Sequence, residues 1–166
     1  FTSISVNHNY AARLHRDRNN LGPSLVRSLG DFAGGELSYW PEDDRTVRLE
    51  SLPQDTSVKF QPRDGMLMFD GNCAHSVDDF VGKRFSVVFF TLSCYAKCKP
   101  QDRAKLEELG FALPALDGGP EGEGAAARAR PPPFVRFWTR SELDRLPLMP
   151  LALAPLPEPT ERQPLR

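Results

Sequence analysis

The sequence predicts an all-β core, either a sandwich or a barrel, on two observations. Residues 1–98 hold several short strand patterns at close, regular spacing, separated by turn residues such as the Gly34-Gly35 pair. Helical stretches do not intervene between these patterns, although alternating strand and helix units would need them. With 40% hydrophobic residues, and 21 basic against 22 acidic side chains in 166 residues, the composition is typical of one globular domain with a tail.

The strand patterns follow one another along the chain. The run from Gly65 to Gly71 is apolar between turn residues, as expected of a buried strand, and the run from Arg84 to Leu92 is the strongest pattern. Strands are also predicted at Asn7–Asn9 and at His15–Asp17. The strands predicted after residue 20 are Ser24–Leu29, Gly34–Trp40, Thr46–Glu50, Ser57–Phe60, Gly65–Gly71 and Arg84–Leu92.

Two histidines and an aspartate form a candidate metal site. His15 and Asp17 are two residues apart, so in a strand their side chains point to the same face. His75 can add a second imidazole from a distant strand. Two histidines and one carboxylate, with coordination positions left open, suit non-haem Fe(II) that must also hold a co-substrate and dioxygen. An isolated His-x-Asp tripeptide is common by chance, and the alternative is an ordinary surface or core histidine.

Arg84 and Ser86 repeat this spacing one strand further on. A guanidinium group binds a carboxylate through two parallel hydrogen bonds, and a neighbouring hydroxyl can add a third. The pair therefore predicts an anchor for a small dicarboxylate lying beside the metal.

Together these residues resemble the superfamily of 2-oxoglutarate- and Fe(II)-dependent dioxygenases. The resemblance covers residues 1–98 and rests on His15-x-Asp17, Gly34-Gly35-Glu36-Leu37, Asp70-Gly71 ahead of His75, and Arg84-x-Ser86. It implies a double-stranded β-helix (jelly-roll) core. The layout is similar to that of prolyl hydroxylases, whereas Asn7-His8-Asn9 and Asn19-Asn20 look closer to the TET/JBP-like branch, whose characterised members oxidise the methyl group of pyrimidine bases.

The resemblance implies a role for each matched position. The implied iron ligands and catalytic residues are His15, Asp17 and His75. The implied binding residues for the distal carboxylate of 2-oxoglutarate are Arg84 and Ser86. Asn7 and Asn9 are candidates for contact with this co-substrate, and Asn20 is a candidate for contact with the substrate. For the three asparagines, the alternative is that they satisfy backbone groups in turns.

The implied activity is a dioxygenase reaction that consumes O2 and 2-oxoglutarate, oxidises a C–H bond and releases succinate and CO2, with ascorbate as a candidate reductant. The expected substrate is a nucleic-acid base or a protein side chain. Residues 1–99 carry twelve basic and twelve acidic side chains, so the core has no overall basic character and its charge does not favour nucleic acid. The alternative function is a catalytically inactive jelly-roll that binds a partner.

Downstream of the core the composition changes. Residues 99–116 are predicted to hold a short helix, Gln101–Gly110, and a connector. Residues 117–166 contain ten of the sixteen prolines and are predicted to be a largely disordered Pro/Gly-rich tail, in which Phe134–Leu146 is a candidate docking helix with a threonine cap. The three cysteines are expected to be reduced thiols, and the alternative is a zinc-binding module that uses Cys94-x-x-x-Cys98.

The chain begins with Phe1 rather than methionine, so we expect upstream sequence and any targeting signal to be missing. The helices that this superfamily usually packs against one sheet would lie in that upstream part. No apolar run approaches the ~20 residues of a membrane helix. We therefore expect an intracellular protein, cytoplasmic or nuclear, that binds no membrane.

Overall fold

The computed structural model describes residues 1–110 and 135–146, which form two antiparallel β-sheets with few helices. The strands are β1 (Ser3–His8), β2 (Ser24–Gly34), β3 (Leu37–Tyr39), β4 (Val58–Phe60), β5 (Gly65–Phe69), β6 (His75–Val77), β7 (Phe80–Phe90) and β8 (Val135–Thr139). The first sheet has the strand order β1-β7-β2-β5-β8, and the second has the order β4-β3-β6. The helices are α1 (Pro100–Glu108) and α2 (Arg140–Leu143), with 3₁₀ turns at Leu49–Ser51, Gln54–Thr56 and Ser93–Lys97. The predicted all-β core is confirmed.

The apolar core lies between the two sheets. In β5, the buried side chains of Leu67 and Phe69 alternate with partly exposed ones, which is the period of a strand with one face inward. They pack with Val26 of β2 and, from the second sheet, with Leu37 and Tyr39 of β3.

The same alternation turns polar residues of the first sheet inward. Ser24 and Ser28 of β2 are buried, and so are Arg84 and Ser86 of β7. β2 pairs with β7 so that Ser28 lies opposite Ser86. Burying polar groups is costly unless they are hydrogen-bonded. The three serines have hydrogen-bond partners, whereas Nε of Arg84 has none.

The strand predicted at Thr46–Glu50 is wrong. Arg45, with a φ of 70°, adopts a left-handed conformation and turns the chain just before this segment. The Asp44 carboxylate accepts hydrogen bonds from the backbone N–H and the hydroxyl of Thr46, at 2.9 and 2.7 Å. A 3₁₀ turn then begins at Leu49. Such local bonds between side chain and backbone compete with strand pairing, and the alternation of residue types does not reveal them.

The strand predicted at Asn7–Asn9 begins and ends earlier in the structure, and the strand predicted at His15–Asp17 is reduced to a single bridge. β1 ends at His8, because Asn9 has a φ of 50°. At His15 the structure has a single β-bridge, which pairs this residue with His75.

The C-terminal part holds one confirmed helix and one correction. α1 ends just before Gly110, whose φ of 84° suits glycine, as predicted. Phe137-Trp138, expected in a docking helix, lies instead in β8, which pairs with the whole of β5. Thr139 does cap a helix, α2, through a capping box with Glu142. Residues 135–146 therefore form a strand followed by a short helix rather than the single docking helix predicted at Phe134–Leu146. The rest of the predicted connector and tail lies outside the described residues.

The two helices add little to the core, because neither α1 nor α2 has a buried residue. The outward side chains of Ile4 and Val6 on β1 are 63% and 68% exposed, so no helix of the described ranges covers that edge of the first sheet. Within residues 1–110 and 135–146, none of the helices has both the length and the apolar character needed to cross a membrane.

Candidate metal centre

Three side chains from two distant segments of the chain converge at one point. Nε2 of His15 lies 3.5 Å from Oδ1 of Asp17, and Nε2 of His75 lies 3.9 Å from Oδ2 of the same carboxylate. One donor atom from each residue lies within 4.8 Å of the other two, and no second group of this kind occurs in the part of the chain that the structure describes. The structure therefore brings together the three residues predicted as metal ligands.

Backbone hydrogen bonds hold these three residues in place. His15 and His75 exchange both of their N–H to C=O bonds, each 3.0 Å long, in the β-bridge at the start of β6. The N–H of Asp17 donates to the carbonyl of Gly71 at 2.8 Å. A Cβ at position 71 would lie 2.6 Å from Oδ2 of Asp17, so only glycine leaves room for the carboxylate. We predicted that a strand would bring the three side chains together. In the structure a single β-bridge and the bond to Gly71 do so instead.

Both imidazole rings present a lone pair to the centre. Nδ1 of His15 lies 2.7 Å from the carbonyl oxygen of Arg13, and Nδ1 of His75 lies 2.9 Å from that of Cys73. Because a carbonyl oxygen only accepts hydrogen bonds, each Nδ1 carries the proton and each Nε2 is left as the metal-binding atom. A backbone carbonyl behind the ring is a usual way in which a metal-binding histidine is oriented.

The two histidines differ in their affinity for protons. The hydrogen bond with Asp17 raises the pKa of His15, although burial acts in the opposite direction. Burial, together with the nearby His15, lowers the pKa of His75. His75 therefore stays neutral, which is the form that binds a metal ion, over a wider pH range than a free histidine.

The donor set fits a divalent iron ion. Two imidazole nitrogens and one carboxylate form the arrangement that is typical of non-haem Fe(II) oxygenases. Neighbouring ligands of a small octahedral ion lie about 3 Å apart. The separations of 3.5 and 3.9 Å between the two Nε2 atoms and the Asp17 carboxylate are somewhat longer than this spacing. Three donors from the described residues leave coordination positions for other ligands.

Similarity to characterised proteins does not assign a chemistry to this centre. No family model and no curated protein matches the chain significantly. The chemistry is therefore inferred from the geometry of the residues and of the cavity around them.

The centre opens into a cavity of about 260 Å³. His15, Asp17 and His75 line this cavity together with Arg84 and Ser86, so the predicted metal site and the predicted anion anchor share one space. Apolar side chains from both sheets complete much of its wall, namely Val26, Leu37, Phe69, Val77, Val88 and Phe90. Its volume suits a small metabolite better than a larger, drug-sized ligand.

Arg84 is a buried cation without a carboxylate partner among the residues that the structure describes. The residue is 2% exposed, and the rings of Phe32 and Phe80 lie 5.6 and 5.5 Å from its Cζ. Nη2 donates to Oγ of Ser28 at 2.9 Å and Nη1 to the carbonyl of Tyr10 at 3.4 Å, but Nε has no hydrogen-bond partner. Burial lowers the pKa of Arg84, yet a guanidinium group stays protonated in proteins. A desolvated charge of this kind is stabilised by an anion.

The hydroxyl next to Arg84 belongs to Ser28, which the sequence analysis missed. Ser86, predicted to assist Arg84, instead accepts a hydrogen bond from Nδ2 of Asn7 at 3.3 Å. Both Asn7 and Ser86 line the cavity. Ser28 lies on the inward face of a strand with alternating burial, and this alternation could have predicted that it is buried. Spacing along the chain does not specify which strands become neighbours, so its contact with Arg84 could not be predicted.

The other two candidate asparagines contact protein groups. Asn9 is exposed, and its Oδ1 accepts a hydrogen bond from the backbone N–H of Arg84 at 2.9 Å, which fastens the end of β1 to β7. Asn20 lines the cavity, and its Nδ2 donates to Oδ2 of Asp17 at 2.9 Å and to Oγ of Ser24 at 3.2 Å. Asn20 therefore orients a predicted metal ligand, a role distinct from the predicted substrate contact.

The cysteines lie outside the centre. Cys73 is buried two residues before His75, and burial raises the pKa of its thiol. Cys94 and Cys98 form no disulfide, and no metal-binding group among the described residues includes them.

Proposed function

We propose that this chain is an Fe(II)- and 2-oxoglutarate-dependent dioxygenase. The observation that carries the proposal is a single cavity lined by a two-histidine, one-carboxylate set and by Arg84, a buried cation without an anionic partner in the described ranges. Either feature alone is compatible with many functions. Their combination fits a metal centre whose co-substrate is a carboxylic acid.

The proposed fold is a double-stranded β-helix. Two antiparallel sheets of five and three strands enclose the core and the cavity between them, which agrees with the eight-stranded, two-sheet architecture of a jelly-roll. On the motif resemblance, we propose membership of the TET/JBP-like branch first and a prolyl-hydroxylase-like relationship second.

When bound by His15, Asp17 and His75, iron would supply the O2-dependent oxidation of a C–H bond, coupled to conversion of 2-oxoglutarate to succinate and CO2. The protein's own residues would bind and orient the reactants. Arg84, held by its hydrogen bond to Ser28, would bind the distal carboxylate of 2-oxoglutarate through charge-assisted hydrogen bonds. The hydroxyl of Ser86, which lines the same cavity, would add a further contact. The apolar wall of the cavity would exclude bulk water and strengthen this ion pair.

A wider groove beside the centre is the proposed binding surface for the substrate. Its volume is about 730 Å³, and it shares His15 and Asp17 with the cavity. Its lining includes the arginines Arg16, Arg18, Arg45 and Arg48. Two of these are already paired with buried aspartates, Arg16 with Asp43 at 2.6 Å and Arg45 with Asp70 at 2.5 Å. The charge of the groove therefore does not select a nucleic-acid base over a protein side chain, and the proposal includes both substrates.

Succinate formation tests the proposed function. Protein loaded with Fe(II) under anaerobic conditions receives 2-oxoglutarate and oxygen, with and without ascorbate. His75→Ala removes one proposed ligand, and His8→Ala is the matched control because His8 is an exposed histidine outside the triad. We expect succinate from the parent and from His8→Ala but not from His75→Ala. A folded, iron-bound parent that forms no succinate would refute the enzyme proposal and favour an inactive jelly-roll that binds a partner.

A further inference from the structure

A buried carboxylate behind the metal centre connects the segments that carry the ligands. The side chain of Asp43 has no exposed surface, although it lies in the loop that follows β3. Its Oδ2 accepts hydrogen bonds from Nε of Arg16 and from the backbone N–H of Ala74, both at 2.7 Å. Its Oδ1 accepts from Nη2 of Arg16 at 2.6 Å and from the backbone N–H of Arg45 at 3.0 Å.

Two of the three residues that donate to Asp43 are sequence neighbours of the proposed ligands. Arg16 stands between His15 and Asp17, and Ala74 immediately precedes His75. We infer that Asp43 is a positioning residue, which holds the segment bearing His15 and Asp17 at a fixed position against the segment bearing His75. The inference rests on the metal site of the proposed function.

Asp43 acts on the ligands through the side chain of Arg16. The backbone N–H groups of His15 and Asp17 donate to the carbonyls of His75 and Gly71, whereas Arg16 between them belongs to no strand. His15 and Asp17 line the cavity, whereas Arg16 does not and instead reaches Asp43. Two charge-assisted hydrogen bonds therefore add a side-chain attachment at the residue between the two ligands and help to fix the direction in which these ligands point.

The loop that carries Asp43 is tied a second time to the turn before His75. Nη2 of Arg45 donates to Oδ2 of Asp70 at 2.5 Å, and its Nε donates to the carbonyl of Asn72 at 3.2 Å. Asp70 in turn accepts a hydrogen bond from the backbone N–H of Asn72 at 2.9 Å. Asp43 is thus part of a buried network, and it cannot shift without moving the turn that leads into His75.

Four donors around Asp43 require a carboxylate. An asparagine at this position would have one accepting oxygen, and its NH2 group would face N–H groups that accept nothing. It would also leave the guanidinium of Arg16 without its charged partner. Asp43→Asn therefore preserves side-chain size while it disrupts the hydrogen bonds that link Arg16 to Ala74. Outer partners that bond a metal ligand directly are typically worth about 10- to 100-fold in metal affinity. Asp43 acts through the neighbours of the ligands in both ligand-bearing segments, and we expect its loss to have an effect of the same order.

Titration of the full chain with Co²⁺, a stand-in for Fe(II) whose absorption spectrum reports coordination geometry, tests the inference. Asp44→Asn is the matched control, because the adjacent Asp44 is exposed and accepts hydrogen bonds from Thr46. We expect Asp43→Asn to bind Co²⁺ about 10- to 100-fold more weakly and with a changed spectrum, at a temperature where circular dichroism shows it folded. Asp44→Asn is expected to match the parent in both.

Several outcomes would overturn the inference. One is equal Co²⁺ affinity and spectrum in Asp43→Asn and the parent, even if the variant unfolds at a lower temperature. A parent that binds no Co²⁺ would overturn the proposed function as well, so the two failures are distinguishable. If Asp43→Asn does not fold, Arg16→Lys decides, because it keeps a positive charge but cannot form two parallel bonds. Weaker Co²⁺ binding by this variant would support the inference, and unchanged binding would refute it.

Discussion

Replacing Arg84 with methionine would separate its contribution to stability from its contribution to binding. Arg84→Met keeps a long side chain but removes the charge. The losses are a charged hydrogen bond to Ser28, about 1.5–3 kcal/mol, and ring contacts with Phe32 and Phe80, about 1–2 kcal/mol. The substitution also removes a buried cation whose Nε has no hydrogen-bond partner. Burying such a charge costs several kcal/mol, and the variant no longer carries this cost. We therefore expect the free energy of unfolding to change by less than about 2 kcal/mol.

The effect of Arg84→Met on 2-oxoglutarate binding is expected to be much larger. With a carboxylate bound, Arg84 belongs to a buried ion pair, and removing one partner of such a pair costs about 3–5 kcal/mol. At about 1.4 kcal/mol for each factor of ten, the dissociation constant of 2-oxoglutarate rises on the order of 10²- to 10⁴-fold.

Both quantities can be measured on the same protein. Urea denaturation gives the free energy of unfolding, and calorimetric titration of the Co²⁺-loaded protein gives the dissociation constant of 2-oxoglutarate. Arg63→Met is the control, because Arg63 also lies over the ring of Phe32, at 5.4 Å, but does not line the cavity. An Arg84→Met protein that loses more than about 3 kcal/mol of stability while it binds 2-oxoglutarate like the parent would refute the reasoning, since Arg84 would then be a structural residue.

Three further outcomes are expected. Asp17→Ala should lose iron binding but keep its circular dichroism spectrum, because its carboxylate contacts side chains around the centre, Asn20, His15 and His75, while its backbone bond to Gly71 is retained. Iron affinity equal to that of the parent would exclude Asp17 as a ligand. Gly71→Ala places a Cβ 2.6 Å from Oδ2 of Asp17. We therefore expect weaker Co²⁺ binding and a free energy of unfolding, measured by urea denaturation, that is lower by about 1–3 kcal/mol. Unchanged Co²⁺ affinity would contradict this crowding. Burial raises the pKa of Asp43, but hydrogen bonds from Arg16 and two backbone N–H groups outweigh burial and leave the pKa below its ordinary value. The Asp43 carboxylate therefore stabilises the fold above pH ~3.9, and this contribution is lost as the pH falls through the lower pKa of the folded state. The difference in free energy of unfolding between the parent and Asp43→Asn should narrow below pH ~4, and a difference that stays constant in acid would contradict this linkage.

Residues with distinctive chemistry were the most predictable part of the site. The residue types of His15, Asp17 and His75 predict a metal centre, and the structure brings them within ligand distance of one another. Arg84 and Ser86 lie on the strongest strand pattern, and their alternation correctly turns both of them inward. Spacing of two residues along a strand is a local property, so it can be recognised without knowledge of the rest of the fold.

Features that depend on distant neighbours could not be predicted. Ser28 becomes the partner of Arg84 because β2 pairs with β7, and nothing in the spacing of the two strands specifies that pairing. Asp43 stands in an acidic run, Glu42-Asp43-Asp44, with the composition of a solvated loop. It is buried against Arg16 and the backbone N–H groups of Ala74 and Arg45, and the local sequence does not indicate these contacts. Phe137-Trp138 forms a strand rather than a helix because the edge of β5 offers it a pairing partner.

β8 comes from a part of the chain far from the strand that it covers. Without residues 135–139, the N–H and C=O groups of β5 that now bond to β8 would form an open sheet edge beside the buried core. Open edges pair readily with other chains, so a fragment that stops at residue 110 is expected to aggregate. Any expression fragment that keeps β5 paired along its whole length must therefore extend to Thr139.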